Sequence, residues 1–383
     1  MTLHGSFGRR QMTIREKLWR VQWSMLFFVG LIAAFGFAML YSAAGGDLDP
    51  WASRQMVRFA FGMLMLVAIA VVDIRFWLQH AYSLYAVALI LLVVVEVAGR
   101  IGMGAQRWIS FGVVNFQPSE LMKVALILAL ARYFHGGSAG DVRRPLFLLM
   151  PVLLVLPPVA LVLRQPDLGT ALMLLFTAVA ILFLAGVRIW KFVAIGVAGL
   201  AIMPVAWHFL RGYQKKRILT FLDPETDPLG AGYHIIQSKI ALGSGGVLGR
   251  GFLQGTQGHL NFLPEKQTDF IFTMLAEEFG MLGGLVLLAL YAIVLFYGFA
   301  IAFGSRNHFG RLVAMGITSM FFLYVFINIA MVMGLLPVVG VPLPLVSYGG
   351  TAMLSLLFAL GLLMCVHVHR DVLLGRRGDP ADI

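Results

Sequence analysis

Charge is scarce in this sequence. Asp, Glu, Lys and Arg together make up 12% of its 383 residues, about half of the roughly 25% found in soluble domains. A soluble chain of this length could bury a large core, but it would still need a polar surface, and long stretches here carry no charge at all. Hydrophobic residues reach 60% instead. A bilayer tolerates such stretches, because a helix satisfies its own backbone donors and acceptors there. A soluble globular protein is therefore excluded. Cysteine is nearly absent too: the single Cys365 rules out an internal disulfide and argues against a cysteine-ligated metal site.

Acidic residues are also few, 18 against 29 Lys and Arg, for a net charge of +11. An excess of this size can mark a nucleic-acid binder. The basic residues are instead dispersed between apolar runs, with no basic helix and no aromatic-interleaved patch. They read as the flanking charge of a membrane protein, with no nucleic-acid partner. There is no Ser/His/Asp set, no zinc-ligand spacing and no dinucleotide motif. The stretch QSKIALGSGGVLGRG (237–251) is glycine-rich but lacks the GK[ST] ending of a nucleotide loop. Its glycines suit tight turns or close backbone approach to a ligand. No convincing internal repeat is visible, which removes the usual sequence cue for a secondary transporter.

What is present is a series of ten apolar segments, at 25–43, 57–72, 81–98, 120–134, 146–163, 169–187, 192–210, 270–303, 312–336 and 351–368. Most have the length needed to cross about 30 Å of hydrocarbon at about 1.5 Å per residue. The reading is an all-α integral membrane protein of about ten transmembrane helices, forming a single domain over 1–383. The fourth segment is marginal. The fifth holds Pro151, Pro157 and Pro158 and is expected to kink or break. The eighth is overlong, so its first turns, with Glu277 and Glu278, are expected to project toward water. Those two residues are adjacent and point about 100° apart, so one of them is expected to be solvated. The run after the basic N-terminus is too long for a signal-peptide core, giving an uncleaved first helix behind a tail of residues 1–24.

Basic residues set the orientation. With the N-terminus inside, the inner segments hold sixteen Lys and Arg and the short outer loops hold five. Both termini, including a C-terminal tail over 369–383, are therefore expected in the cytoplasm. The outer side then carries 99–119, a Pro/Gly-rich stretch at 334–350, and a large loop over 211–269 between the seventh and eighth helices. Inner loops are short. Chemistry is expected at the outer face, where the large loops lie.

Several polar residues stand at those outer junctions. Asp269, where the long loop meets the eighth helix, lies half in water and half against a helix. It is either a general base with a raised pKa or, like Thr268, a helix cap. Asp167, in RQPDLGTA, has the same choice before the sixth helix. Glu120 and Lys123 are three apart and share one helix face. They form either an intramembrane functional pair or a structural ion pair. Arg107, beside Trp108, is an interfacial anchor or an anion ligand. His367 and His369 face opposite ways on a helix and do not make a metal site. Residues alone lead to a membrane protein whose outer carboxylates and basic groups can handle an anionic amphiphile.

Five motifs go further. NFQPSELMK, RQPDLGTAL, FLDPETDPLGAGYHIIQSKIALGSGG, LPEKQTDFIF followed by AEEFG, and PLPLVSYGGTAML together resemble the SEDS family (shape, elongation, division and sporulation), in the family's order and from first helix to last. The GYHIIQSKIALGSGG and GTQ elements and the short tails are more similar to its elongation members than to its division members. The resemblance implies an inverting peptidoglycan glycosyltransferase that polymerises lipid II at the outer face of the bacterial cytoplasmic membrane. It places the family's catalytic aspartate at Asp269. It implies Arg107 and Lys123, with Lys239 behind them, as cations for the departing pyrophosphate. Glu120 and Asp167 would line the same cavity, positioning Lys123 or holding a divalent cation, Mg²⁺ or Mn²⁺. It also implies a class B penicillin-binding protein (PBP2-like) as partner. The partner's helix could pack on a small-residue surface of helices eight and nine at Met315, Gly316, Thr318 and Ser319, which could equally be internal packing. Two rivals remain: a lipid II flippase and a non-catalytic cell-wall scaffold.

Overall fold

The computed structural model describes residues 12–102, 105–110, 115–138, 140–209, 212–226, 230–259 and 265–375. Residues 1–11 and 376–383 of the expected tails, with Arg9, Arg10, Arg376 and Arg377, lie outside them. In chain order the elements are α1 (Ile14–Trp19), α2 (Trp23–Ala43), α3 (Ala52–Val71), α4 (Ile74–Ala98), β1 (Arg100–Gly102), β2 (Ala105–Ser110) and β3 (Asn115–Phe116). Then come α5 (Pro118–Gly136), α6 (Pro145–Arg164), α7 (Leu168–Leu184), α8 (Ile189–Phe209), α9 (Gly212–Leu222), α10 (Ala231–Gly245) and α11 (Thr256–His259). The chain closes with α12 (Ile271–Gly304), α13 (His308–Val332) and α14 (Gly350–Val368).

Each of the ten apolar segments is a helix, and seven of these helices are long and apolar enough to cross a membrane. Two more, Leu168–Leu184 and Ile189–Ile202, are shorter apolar stretches. The remaining one, α5, carries Glu120, Lys123 and Arg132 yet is buried on nearly every side. It was marginal by composition because it faces protein rather than lipid. α5 packs along α4 and α13, α14 lies along α3, and α12 runs between α13 and α2. α13 and α14 are the most enclosed of the long helices, while α3, α4 and α6 turn most of their residues outward. That outward apolar surface (Phe61, Ile90, Leu146, Phe296, Phe303 and others) is what lipid rather than water would cover.

Three expectations need correction. α6 does not break: it is one continuous helix with Pro151, Pro157 and Pro158 inside it, since helices in apolar surroundings keep proline where neighbours compensate. The loop 99–119 holds a small antiparallel sheet in the order β1-β2-β3, pairing Arg100 with Trp108 and Ile109 with Phe116. Within 211–269, α9, α10 and α11 replace most of what reads as loop.

A further correction concerns α12. Glu277 and Glu278 do not project into water; they are 0% and 1% exposed. α12 breaks at Gly280, where φ is 66° and ψ is −164°, a conformation that a residue with a side chain rarely adopts. The segment after α10 fills that break. Met281 N–H donates to Gly246 O (2.9 Å), Leu282 N–H to Val247 O (3.1 Å), Arg250 N–H to Glu277 O (3.0 Å) and Gly251 N–H to Glu278 O (3.0 Å). Both carboxylates are satisfied in place. Thr256 donates to Glu277 Oε1 from N–H (2.8 Å) and Oγ (3.0 Å), while Ser42 Oγ and Leu253 N–H donate to Glu278. The glycines of 237–251 thus serve close backbone approach, but to α12 and not to a ligand. A Cβ on Gly249, itself at φ 81°, would overlap Glu278 O.

Candidate active site

The N-terminal ends of α7, α12 and α14 meet the segment 334–350 at one end of the bundle. Asp269 lies in the turn 265–270 just before α12. The N-cap of α12 is Phe270, without a side-chain cap bond, so neither Asp269 nor Thr268 holds the cap position. The Thr268 hydroxyl donates instead to Glu265 (O 3.2 Å, Oε2 2.9 Å). Three contacts fix the turn. Asn328 Nδ2 donates to Asp269 O at 3.0 Å and to Val341 O at 2.8 Å, Ser347 Oγ donates to Thr268 O at 2.6 Å, and Tyr348 N–H donates to Gln267 O at 2.8 Å. The half-buried Asp269 carboxylate faces Gly340; a Cβ there would stand 3.5 Å from Oδ2. Nearby Lys266 donates to Gly258 O at 2.9 Å, and burial pushes its ammonium below the ordinary lysine pKa.

On the far side of 339–341 lies the start of α7. Gly169 packs there with no room for a side chain, since a Cβ would overlap Val339 O. Asp167 is the α7 N-cap: Oδ1 accepts from Thr170 N–H (3.2 Å) and Oδ2 from Thr170 Oγ (2.9 Å). The cap role holds, and a second role accompanies it. Asp167 Oδ2 also faces Arg107 Nη1 at 3.8 Å and Gln117 Nε2 at 3.4 Å. Arg107, on β2, donates through Nε to Gln165 O (3.1 Å) and through Nη2 to Pro166 O. The small sheet therefore positions this arginine over the α6–α7 turn.

Glu120 and Lys123 form a sealed cluster on α5, with side chains 5% and 2% exposed and N···O at 2.7 Å. Tyr324 OH and Ser355 Oγ donate to Glu120 Oε2 at 2.8 and 2.9 Å. The Lys123 ammonium reaches the same tyrosine oxygen and lies 4.4 Å from the ring centroid. Tyr324 in turn lines a small, mainly apolar cavity with Leu343, Ser347, Gly349, Ala352 and Met353. Tyr324 and Asn328 are four apart on α13, so one helix face joins the buried ion pair to the Asp269 turn.

Sequence reasoning missed Tyr324, Asn328, Ser355 and Gln117. A signal existed for the first two, polar side chains at i and i+4 inside an apolar segment. Lys239 is not drawn into either cluster. It is exposed on α10, with its side chain against Gly334, at the foot of 334–350. The small-residue surface takes one of its two readings. Met315, Gly316 and Thr318 are buried against α5, α7 and α12, with Gly316 on Ile127 and Ile181 and Thr318 on Gly298, so they form internal packing and not a partner surface. Glu120 and Asp167 are each already paired with a cation and with hydroxyl donors. Among the described residues no three His, Cys, Asp or Glu side chains gather to hold a metal. The donor set does not fit a resident metal, and no step below runs through one.

The sequence profile of a family of cell cycle proteins, FtsW/RodA/SpoVE, matches residues 17–372. The chain belongs to this family. It is the family that the five motifs resemble, and every residue of the two clusters and of the Asp269 turn lies inside the matched stretch. The chain is similar to peptidoglycan glycosyltransferase MrdB of Escherichia coli K12, 50% identical over 283 residues, which is 73% of this chain and 75% of that one. A solved structure described as the coordination of polymerization and crosslinking by a peptidoglycan synthase complex matches with a TM-score of 0.79 at 38% identity. It covers 91% of this chain and 98% of that chain. The rod shape determining protein RodA of Thermus thermophilus matches with a TM-score of 0.69 at 32% identity, covering 91% and 97%. This FtsW/RodA/SpoVE member is a multi-pass protein of the bacterial cytoplasmic membrane.

Proposed function

We propose that this peptidoglycan glycosyltransferase of cell elongation polymerises lipid II into β-1,4 glycan strands at the outer membrane face, with Asp269 as general base. Asp269 takes the proton from the GlcNAc 4-hydroxyl of one lipid II. The freed oxygen attacks the anomeric carbon of a second, and the bond to undecaprenyl pyrophosphate breaks with inversion. The observation that carries this reading is the Asp269 turn. Asn328, Ser347 and Tyr348 bond the backbone carbonyls of Asp269, Thr268 and Gln267 and so hold the turn that carries this half-buried carboxylate just before α12, which is the fixed placement that general-base catalysis needs.

Charge developing on the leaving pyrophosphate needs preorganised cations. Arg107 is the partly exposed one, held by two carbonyls and Asp167. Lys123 acts through Tyr324, whose ring its ammonium faces and which itself lines the cavity. Lys239 stands apart from both, at the foot of 334–350. Asp167 and Glu120 orient Arg107 and Lys123. A divalent cation enters this scheme only as a companion of the diphosphate substrate. A class B penicillin-binding protein is the proposed partner that cross-links the product, in keeping with the synthase complex to which the chain is similar.

The test is lipid II polymerisation by purified protein, alone and with the class B partner, beside a lipid II translocation assay in proteoliposomes. Glycan strands from the wild type support the reading. Translocation without polymerisation, even with the partner, would put the flippase in its place, and neither activity would favour the scaffold.

A further inference from the structure

The first turn of α14 meets a cation where electrostatics favours an anion. Its N-cap is Gly349, which has no side chain to offer, so the N–H groups of Gly350, Thr351 and Ala352 lack intrahelical partners. They give this end of a 19-residue helix a partial positive charge. Against it lies Arg58, from the second turn of α3. A Cβ on Gly350 would stand 3.1 Å from both Cζ and Nε of that guanidinium.

Arg58 stacks on Tyr348, 5.0 Å from the ring centroid, and its Nη1 is buried with no hydrogen-bond partner. None of the ion pairs among the described residues includes it. One turn earlier on the same face, Gln55 is fully buried. Its Nε2 donates to Ser347 O at 3.0 Å, and its Oε1 has no partner. The unpartnered Arg58 Nη1 calls for an explanation, and so does a guanidinium facing the positive end of a helix. An anion there would satisfy both sets of donors, the guanidinium and the helix N–H groups; Gln55 Oε1, an acceptor, takes no part.

We propose that Arg58 and the uncapped first turn of α14 bind a phosphate of the lipid-linked diphosphate, which makes Arg58 a further substrate-binding residue. The proposal rests on the reading of the chain as an enzyme acting on such lipids. The guanidinium supplies a planar fork that matches phosphate oxygens, the helix end supplies backbone N–H groups, and the Tyr348 ring holds the fork in place. The location suits a leaving group. Tyr348 is bonded to Gln267, two residues before Asp269, and Ser355 of the same α14 holds Glu120 of the Lys123 cluster. The phosphate would therefore sit between the base and the buried ion pair, beside the cavity lined by Gly349 and Ala352.

The experiment measures binding of undecaprenyl diphosphate to the full-length protein in detergent, with undecaprenol and inorganic pyrophosphate as separate probes, for wild type, Arg58→Gln and Arg58→Lys. The expected result is at least a tenfold loss of undecaprenyl diphosphate affinity in Arg58→Gln, unchanged undecaprenol binding, and an intermediate loss in Arg58→Lys. In turnover, KM for lipid II should rise more than kcat falls. If Arg58→Gln does not fold, Gly350→Ala, which crowds the guanidinium, and Arg58→Lys carry the same expectation at smaller size. Equal diphosphate affinity in folded variants, or equal losses for undecaprenol and diphosphate, would overturn the proposal. Inorganic pyrophosphate binding as tightly as the lipid would overturn its lipid assignment. A wild type that polymerises lipid II while Arg58→Gln is unaffected sinks this inference alone; a wild type that neither binds the diphosphate nor polymerises sinks the underlying reading as well.

Discussion

Lys123 and Glu120 illustrate how a buried pair limits what each residue can do. Their side chains are almost fully enclosed, and the Glu120 carboxylate also accepts from Tyr324 and Ser355. Removing one partner leaves the other charge in a low-dielectric site, at a cost of about 3–5 kcal/mol. Lys123→Met should therefore lower the thermal unfolding temperature in detergent as well as abolish polymerisation, and Glu120→Gln combined with Lys123→Met should recover part of the stability without the activity. Unchanged unfolding of Lys123→Met would show that the cluster does not hold the fold. Arg107 differs, because it is partly exposed and its partners are mainly carbonyls. Arg107→Ala should leave the unfolding temperature nearly unchanged while lowering kcat/KM for lipid II tenfold or more, and an equal loss of stability and activity would assign it a structural role. At this scale the spacing of Glu120 and Lys123 and the cap position of Asp167 were legible, because both depend on residues three apart in the chain. The contribution of Tyr324 was not, since it reaches Lys123 across a gap of 201 positions.

The break in α12 belongs to the scale of elements. Its freed backbone groups are taken up by the segment after α10, and both buried carboxylates are satisfied by residues of the same segment and by Ser42 of α2. Gly280→Ala should cost about 1–3 kcal/mol from the backbone conformation alone, plus the overlap of its Cβ with Val247 O and Gly249 N. It should loosen the Asp269 turn ten residues or more upstream in the chain, read as faster amide exchange over 265–279. Exchange confined to 280–290 would contradict this coupling. The sequence misled here for a physical reason. Adjacent carboxylates in the first turns of an overlong helix look solvated, and only a glycine-rich segment some thirty residues earlier buries them. The same limit applies to Met315, Gly316 and Thr318, because small residues serve internal and intermolecular helix contacts alike.

Across the whole molecule the all-α membrane architecture was the most legible feature, since a bilayer demands long, self-satisfied apolar segments and little else. The orientation derived from basic residues has a direct test, helped by the buried state of the single Cys365. Leu248 is exposed near the α12 break and Leu373 is exposed beyond α14, at opposite ends of the bundle. In intact cells an impermeant maleimide should label Leu248→Cys and spare Leu373→Cys; the reverse pattern would invert the topology and put the Asp269 end in the cytoplasm. Most of this outer end could not be drawn from sequence, because 99–119 and 211–269 fold through contacts between segments and not by a local period. The central claim is that Asp269 is the base. The most direct measurement is lipid II polymerisation by Asp269→Asn beside wild type, with matched unfolding temperatures. Glycan strands from the wild type and none from the folded variant are the expected result; undiminished strands from the variant would contradict it.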